Sequence, residues 1–217
     1  MDKIITDLKR KVAETAKDIF DAGLVTSTWG NVSARVPELK TVVITPSGLC
    51  KGLLKPNDMV VIDTTGKPLE GKKKPSSETP MHLTIYDKRS EVNAIIHTHS
   101  PFATSFAVAG LEIPVVNEEL AAVVGGSIHV ARYALFGTEK LGNFAYEALG
   151  DRNAVLLKSH GVVAIGPTLK DAFRTAIVVE NTAKIVIFAK LLGEPIKLKD
   201  EDAKEAMESF RANYPQS

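Results

Sequence analysis

The segment EVNAIIHTH at residues 91–99 constrains the fold more than any other part of this sequence. A run of apolar and β-branched residues of this length is typical of a buried strand. Successive side chains of a strand point to opposite faces, so His97 and His99 fall on the same face. The segment therefore predicts a sheet that presents two neighbouring imidazoles where one buried strand ends.

Short strands and amphipathic helices alternate along the rest of the chain. Further strands are expected at residues 41–45, 59–63 and 154–158, with 162–165 as a continuation or hairpin partner of the last. Helices are expected at 2–22, from Ser76 or Ser77 to Lys88, at 100–109, 118–124 and 138–149, and from Thr168 to just before Gly193. The pattern predicts an α/β or α+β three-layer domain, and leaves open whether the sheet is parallel. No repeat or linker divides the chain, so one domain is expected.

Charge and composition argue against several classes of function. The net charge of +1 provides no field that would attract nucleic acid or an anionic membrane. Cys50 is the single cysteine, which excludes an intrachain disulfide and suits a reducing compartment. The N-terminal segment is charged throughout, unlike a signal peptide, and charged residues interrupt the most apolar late stretch. We expect a soluble, cytoplasmic protein.

The paired histidines are candidate metal ligands, because divalent ions such as zinc bind imidazole nitrogen readily. Catalytic zinc commonly has three protein ligands and one open position. Three other histidines are candidates for the third ligand: His82, His129 and His160. His160 is favoured because it follows a buried strand and precedes Gly161, where a side chain can turn toward the end of the sheet. His82 and His129 are interpreted as structural, or in the case of His82 as supporting the ligands. A chance His-x-His pair is the alternative.

Glu78 follows Pro75-Ser76-Ser77 at an expected helix start, where free backbone N–H groups favour anions. Its carboxylate could serve the metal site or merely stabilise the first helical turn. Three segments combine side-chain donors with turn-forming residues and could bind phosphate through neutral groups: residues 28–33, 45–48 and 75–78. Each of them alone is also consistent with ordinary turn chemistry.

The order of these motifs resembles that of the class II aldolase and adducin-head family. The motifs are GNVS at 30–33, TPSG at 45–48, PSSE at 75–78, HTH at 97–99, a GG…Y…FGT pattern over 125–138 and SHG at 159–161. The resemblance is strongest to the family's sugar-phosphate lyases, typified by the L-fuculose-1-phosphate aldolases. It covers residues 2–195, approximately, and leaves 196–217 as a C-terminal tail of one domain spanning 1–217. It implies a three-layer αβα fold with a largely antiparallel central sheet, and a homotetramer with sites at subunit interfaces.

The resemblance also implies a role for individual residues. His97, His99 and His160 would be the metal ligands, and Glu78 would be both a fourth ligand and the catalytic base. The phosphate of the substrate would be bound by a set of neutral groups: Gly30, Asn31, Ser47, Gly48, Ser76 and Ser77. Zinc is the expected ion, although histidine and carboxylate ligands also accept manganese, cobalt or iron.

The implied activity is zinc-dependent cleavage of a ketose 1-phosphate, L-fuculose 1-phosphate or a close analogue. The products would be dihydroxyacetone phosphate and a short aldehyde such as lactaldehyde. Related 4-epimerases typically carry aspartate where Glu78 stands, so Glu78 favours the aldolase reaction. Glu119 occupies the place of an acid/base tyrosine, and Tyr214 that of a tyrosine in a mobile tail, so both are predicted to be catalytic.

Glu119 also keeps two other reactions open. A methylthioribulose-1-phosphate dehydratase carries a functional glutamate at this place, and a 4-epimerase of the same fold is the second alternative. The tail that contains Tyr214 could instead be a frayed terminus. A non-catalytic, adducin-like module is disfavoured, because the three histidines and Glu78 are all present.

Overall fold

The structure of the protein is a computed structural model that describes residues 2–213. Within this range the chain forms eight strands: β1 (Asn31–Val36), β2 (Thr41–Ile44), β3 (Val60–Asp63), β4 (Pro68–Glu70), β5 (Ala94–Thr98), β6 (Val130–Ala131), β7 (Ala154–Leu157) and β8 (Gly161–Gly166). The same range forms seven α-helices: α1 (Asp2–Asp21), α2 (Thr79–Lys88), α3 (Pro101–Ala109), α4 (Glu118–Val124), α5 (Glu139–Leu149), α6 (Leu169–Leu192) and α7 (Asp200–Asn213). None of these helices is long and apolar enough to cross a membrane.

All eight strands join one mixed sheet in the order β4-β3-β2-β1-β5-β8-β7-β6. Every neighbouring pair is antiparallel except β6 and β7, which run parallel. The predicted mixed α/β fold with a largely antiparallel central sheet is therefore confirmed. Strand β5, which carries the histidine pair, lies between β1 and β8 near the middle of the sheet.

Both faces of the sheet are covered by helices, and the alternation along β5 shows how the two cores are divided. Ile95 packs into a core that includes residues of α2 and α5, whereas Ala94 and Ile96 pack into a core formed with α1 and α6. A third cluster joins α3, α4 and α6 beside β7 and β8. Each large aliphatic side chain buried in this way contributes about 1.5–3 kcal/mol.

Several predicted boundaries are confirmed, and their caps explain them. Helix α6 begins at Leu169, directly after the N-cap residue Thr168, whose hydroxyl accepts a hydrogen bond from the backbone N–H of Asp171 at 3.2 Å. Helix α3 begins after Ser100 with Pro101 in its first turn, as predicted, although the Ser100 side chain makes no capping bond. Strands β7 and β8 form an antiparallel hairpin, which decides between the two alternatives left by the sequence.

Other predictions of local structure were wrong in informative ways. Helix α2 begins at Thr79 rather than after Ser76 or Ser77, and Glu78 is its N-cap residue. Residues 91–93 precede strand β5, and His99 follows it. Asn31 to Ser33 belong to strand β1 instead of a turn, because this polar segment pairs with apolar strands on both sides. The tail contains helix α7, which lies against α4.

Candidate active site

Four side chains converge where the central strands end. His97 is in β5, His99 follows it, His160 lies in the turn between β7 and β8, and Glu78 directly precedes α2. One ligand atom from each of the four lies within 4.8 Å of the others. The three imidazoles and the carboxylate that the sequence analysis singled out are thus brought to one point, although their roles remain predictions.

Backbone geometry explains how the β7–β8 turn can approach β5 so closely. A Cβ atom on Gly161 would lie 2.3 Å from the Thr98 carbonyl oxygen and 3.2 Å from the rings of His97 and His99. Only glycine leaves room for this approach. Ser159, which is not a glycine, has a φ of +56°, so the turn that presents His160 contains a conformation rare for such residues.

The hydrogen bonding of His97 suits a metal ligand. Its Nδ1–H donates to the Val162 carbonyl oxygen at 2.8 Å, so Nε2 is the ring atom that can offer a lone pair to a metal once it has lost its proton. This Nε2 lies 2.9 Å from Nε2 of His99 and 3.0 Å from Oε2 of Glu78. Because nitrogen and oxygen lone pairs face each other across one small space, the donor set fits a divalent cation.

Glu78 supplies the negative charge of the site. Burial alone would raise the pKa of its carboxyl group, but the charge and hydrogen bond of His97, together with His160 and Asn31, outweigh burial and hold the pKa well below its ordinary value. Its Oε1 atom is buried without a hydrogen-bond partner among the described residues. Nε2 of His160 lies 3.5 Å from this atom. An ionised carboxylate with an unsatisfied buried oxygen is a further observation that fits a cation.

The imidazoles are tuned by burial and by one another. Burial of His97 opposes its protonated form, yet the Glu78 carboxylate outweighs burial and raises the pKa of His97. Burial and the neighbouring His97 lower the pKa of His99 to about 3 and that of His160 to about 4. His99 and His160 are therefore neutral at pH 7, the form that ligates a metal. The indole of Trp29 stacks on His99 with ring centroids 5.5 Å apart.

A cavity of about 390 Å³ opens beside this cluster and is lined by Glu78, His99 and His160 but not by His97. The six residues predicted to bind phosphate all line it: Gly30, Asn31, Ser47, Gly48, Ser76 and Ser77. Two of their turns meet in a bridge between Pro46 and Pro75, where the Ser47 N–H donates to the Lys74 carbonyl oxygen at 3.0 Å. The distant motifs TPSG and PSSE therefore form one wall, which offers neutral donors to an anion.

Lys51 also lines this cavity, and the sequence analysis missed it. Its side chain is among the most deeply buried in the described part of the protein, and the residue is 1% exposed. The ammonium group donates to the carbonyl oxygens of Thr28 and Leu49 at 2.8 and 2.9 Å, and so ties two cavity turns together. Burial lowers the pKa of Lys51 to about 8. Nothing in the sequence distinguishes this lysine from the many exposed ones.

The two residues predicted to act at the aldehyde end are not part of this cluster. Glu119 is exposed in the first turn of α4 and is absent from the lining of the cavity that residues 2–213 form. Tyr214 lies outside the described residues. His129 is half-buried with its Nε2 3.8 Å from a Glu112 oxygen, and it does not join the ligand group.

Comparison with known proteins identifies the family. Residues 10–187 match the model of the Class II Aldolase and Adducin N-terminal domain. The chain is 40% identical over 208 residues to 5-deoxy-D-ribulose 1-phosphate aldolase of Bacillus thuringiensis serovar kurstaki, covering 96% of this chain and 97% of the relative. It is 37% identical over 204 residues to 5-methylthioribulose-1-phosphate/5-deoxyribulose-1-phosphate aldolase of Rhodospirillum rubrum, covering 94% and 91%.

A solved structure leads to the same conclusion. An L-fuculose 1-phosphate aldolase superposes with a TM-score of 0.91 at 38% sequence identity, covering 94% of this chain and 96% of that one. The fold, the Glu78–histidine cluster and the extent of these matches all support the same family. The chain is an enzyme that belongs to the class II aldolase and adducin N-terminal domain family, whose aldolases depend on a metal ion.

Proposed function

We propose that the protein is a zinc-dependent aldolase that cleaves a short deoxyketose 1-phosphate, with 5-deoxyribulose 1-phosphate as the first substrate to test. The observation that carries this proposal is the position of Glu78 and the three imidazoles beside a cavity lined by neutral donors. The sequence alone pointed to L-fuculose 1-phosphate. Two relatives at 40% and 37% identity are named for 5-deoxyribulose 1-phosphate, which moves the preferred substrate to that shorter sugar.

His97, His99, His160 and Glu78 would hold the ion. When bound, it would act as a Lewis acid that stabilises negative charge on the ketone oxygen of the substrate. Zinc is preferred because three imidazoles and one carboxylate form a common zinc donor set, and manganese, cobalt and iron are the alternatives.

The protein's own residues would position the substrate and move one proton. Neutral donors of Ser47, Gly48, Ser76 and Ser77 would bind the phosphate and fix the reacting carbons beside Glu78. Cleavage breaks the C3–C4 bond: the C4 hydroxyl loses its proton, C4 becomes an aldehyde, and C3 gains a proton. Glu78 would deliver the proton to C3, and would remove it in the direction of aldol addition. From 5-deoxyribulose 1-phosphate the products are dihydroxyacetone phosphate and acetaldehyde.

The far end of the substrate requires a second acid/base group for the C4 hydroxyl. Glu119 and Tyr214 are proposed for this role, and a homotetramer is proposed in which a neighbouring subunit completes the site. Large apolar side chains support this assembly, since Phe136 at the cavity is 58% exposed, Trp29 60% and Leu53 77%. A cytoplasmic location stays a prediction from the sequence.

The test is a cleavage assay with the metal-loaded protein, the chelated protein and the protein reloaded with zinc. The substrates are 5-deoxyribulose 1-phosphate, methylthioribulose 1-phosphate and L-fuculose 1-phosphate. We expect two fragments by NMR, one of them dihydroxyacetone phosphate, with activity lost on chelation and restored by zinc. A single product would instead indicate dehydration or epimerisation. Absence of cleavage for the whole panel, or full activity after chelation, would overturn the proposal.

A further inference from the structure

A row of buried polar side chains extends away from Glu78 into the core. Asn31 Nδ2 lies 2.9 Å from Glu78 Oε2, and Asn31 Oδ1 lies 2.5 Å from Nε2 of His82. His82 Nδ1 lies 2.6 Å from the Ser33 hydroxyl, which lies 2.7 Å from the hydroxyl of Tyr86. Asn31, Ser33, His82 and Tyr86 are 3%, 0%, 0% and 4% exposed. None of these four side chains belongs to the cluster of ligand atoms.

The direction of every hydrogen bond in the row follows from the carboxylate outward. An ionised carboxylate only accepts, so Asn31 must turn its NH₂ group toward Glu78 and its carbonyl oxygen toward His82. His82 must then carry its proton on Nε2 and accept at Nδ1. The hydroxyl of Ser33 donates its single proton to Nδ1 of His82, so the hydroxyl of Tyr86 must donate to the oxygen of Ser33. Five side chains are thereby arranged in one unbroken donor sequence that ends on Oε2 of Glu78.

The two oxygens of Glu78 therefore have different environments. Oε2 accepts from Asn31 and also lies 3.0 Å from Nε2 of His97, whereas Oε1 has no hydrogen-bond partner among the described residues and lies 3.5 Å from Nε2 of His160. If the Asn31 amide were reversed, its carbonyl oxygen would face Oε2 and its NH₂ group would face Nε2 of His82. Because Nε2 carries a proton, it cannot accept a hydrogen bond from that NH₂ group, so the reversed amide would be unfavourable on both sides. The second N–H of Asn31 remains available for the predicted contact with phosphate.

We propose that His82 is a positioning residue for the reaction, holding the Asn31 amide so that Glu78 is fixed through Oε2 beside His97 and keeps Oε1 free of hydrogen bonds within the cluster. This inference rests on the proposed function for its catalytic consequence, but its geometry is a property of the protein alone. A purely structural role explains the row less well, because polar groups placed in a core cost free energy that an apolar pair would not.

A matched pair of variants separates these two roles. In His82→Gln the side-chain amide can reach the position of Nε2 and still donate to Asn31, whereas in His82→Asn it reaches only the position of Nδ1. We expect His82→Asn to lower kcat about 10- to 100-fold with little change in KM, as for other residues that orient metal ligands. His82→Gln should recover most of that rate while its melting temperature falls as much as that of His82→Asn. Equal losses of kcat in both variants, or none in either, would overturn the proposal.

A second measurement does not depend on activity. In the metal-loaded wild-type protein labelled with ¹⁵N-histidine, NMR should show His82 protonated at Nε2, with a slowly exchanging ring proton. A proton on Nδ1 would overturn the proposed orientation. If wild-type protein cleaved no ketose phosphate, the proposed function would fail, while this spectrum would still decide how His82 is oriented.

Discussion

The candidate site has two ends: the metal end, formed by Glu78 and the three histidines, and the aldehyde end, where the far part of the substrate would lie. The two differ in how the chain builds them. At the metal end, one chain supplies every group, because β5, the β7–β8 turn and the start of α2 meet at one point. At the aldehyde end, Glu119 is exposed on α4 and outside the cavity, and Tyr214 lies beyond the described residues. A sheet end can gather ligands from segments far apart in sequence. Neither predicted residue is placed at that end by residues 2–213, and our proposal is that a neighbouring subunit completes it.

The largest effect should follow removal of a ligand at the metal end. His97→Ala should lower kcat/KM by about 10³-fold or more, since several kcal/mol of charge stabilisation would be lost with the ion. Elemental analysis should show less bound metal in the same preparation. The matched control is His129→Ala, which removes a half-buried histidine outside the cluster and should retain metal and activity. Full metal content in His97→Ala would contradict the assigned ligand.

Replacement of the proposed base, Glu78, by a side chain of the same size should have the next largest effect. Glu78→Gln keeps the size of the side chain but loses its charge and its capacity to carry a proton. We expect kcat to fall about 10²- to 10⁴-fold, the range typical of general acid–base groups. Steady-state kinetics with measured metal content is the check. A rate near that of the wild-type protein at full metal occupancy would show that another group moves the proton.

A smaller effect is expected at the aldehyde end. Glu119→Gln should lower kcat for cleavage by about 10²-fold, the lower end of the same range, without loss of metal. The neighbouring exposed Glu118 provides the matched control as Glu118→Gln, which should behave like the wild-type protein. If both variants cleave normally, the assignment of Glu119 fails and Tyr214 becomes the remaining candidate, testable by deletion of residues 214–217.

The phosphate side of the cavity should mainly affect substrate binding. Lys51→Met removes the ammonium group that ties two cavity turns, and we expect KM to rise about tenfold, equivalent to about 1.4 kcal/mol. The free energy of unfolding should also fall. Lys72→Met, at an exposed loop lysine, is the control for a change of charge. An unchanged KM in Lys51→Met would show that substrate binding does not depend on this link between the two turns.

The smallest effect concerns stability and pH at the metal end. The pKa of His160 is about 4 in the folded protein, below its ordinary value of 6.5. Below pH 6.5 the unfolded chain therefore binds a proton that the folded protein refuses, so stability falls as the pH drops toward 4. Urea unfolding of the chelated protein should show this slope, and His160→Asn should show a shallower one. An equal slope in both proteins would contradict the assigned pKa.

Much of the metal end was predictable from the sequence, because its signals are local. The period of a strand places His97 and His99 on one face. The local sequence left the role of Glu78 open, and only the family resemblance assigned it to the site. The position of His160 followed from a strand and a glycine. Each inference about a histidine depends on a few neighbouring residues, and the structure brings all four side chains together.

What could not be predicted depends on residues distant in sequence. Strand β1, with the sequence NVSARV, lacks the apolar character of a central strand. The Ser33 side chain contacts His82 and Tyr86 instead, and these belong to helix α2, which begins 43 residues after the strand ends at Val36. Burial of Lys51 likewise depends on two turns that only the folded chain brings together. The helical tail was missed since its support comes from α4.

The most direct test uses dihydroxyacetone phosphate alone in D₂O, without any aldehyde. In the proposed mechanism, aldol addition begins when Glu78 removes a proton from the carbon next to the ketone, so deuterium from the solvent should enter that carbon. We predict exchange by the zinc-loaded wild-type protein and by Glu119→Gln, and loss of exchange in Glu78→Gln and in the chelated protein. Exchange that persists in Glu78→Gln with its metal bound would contradict the account.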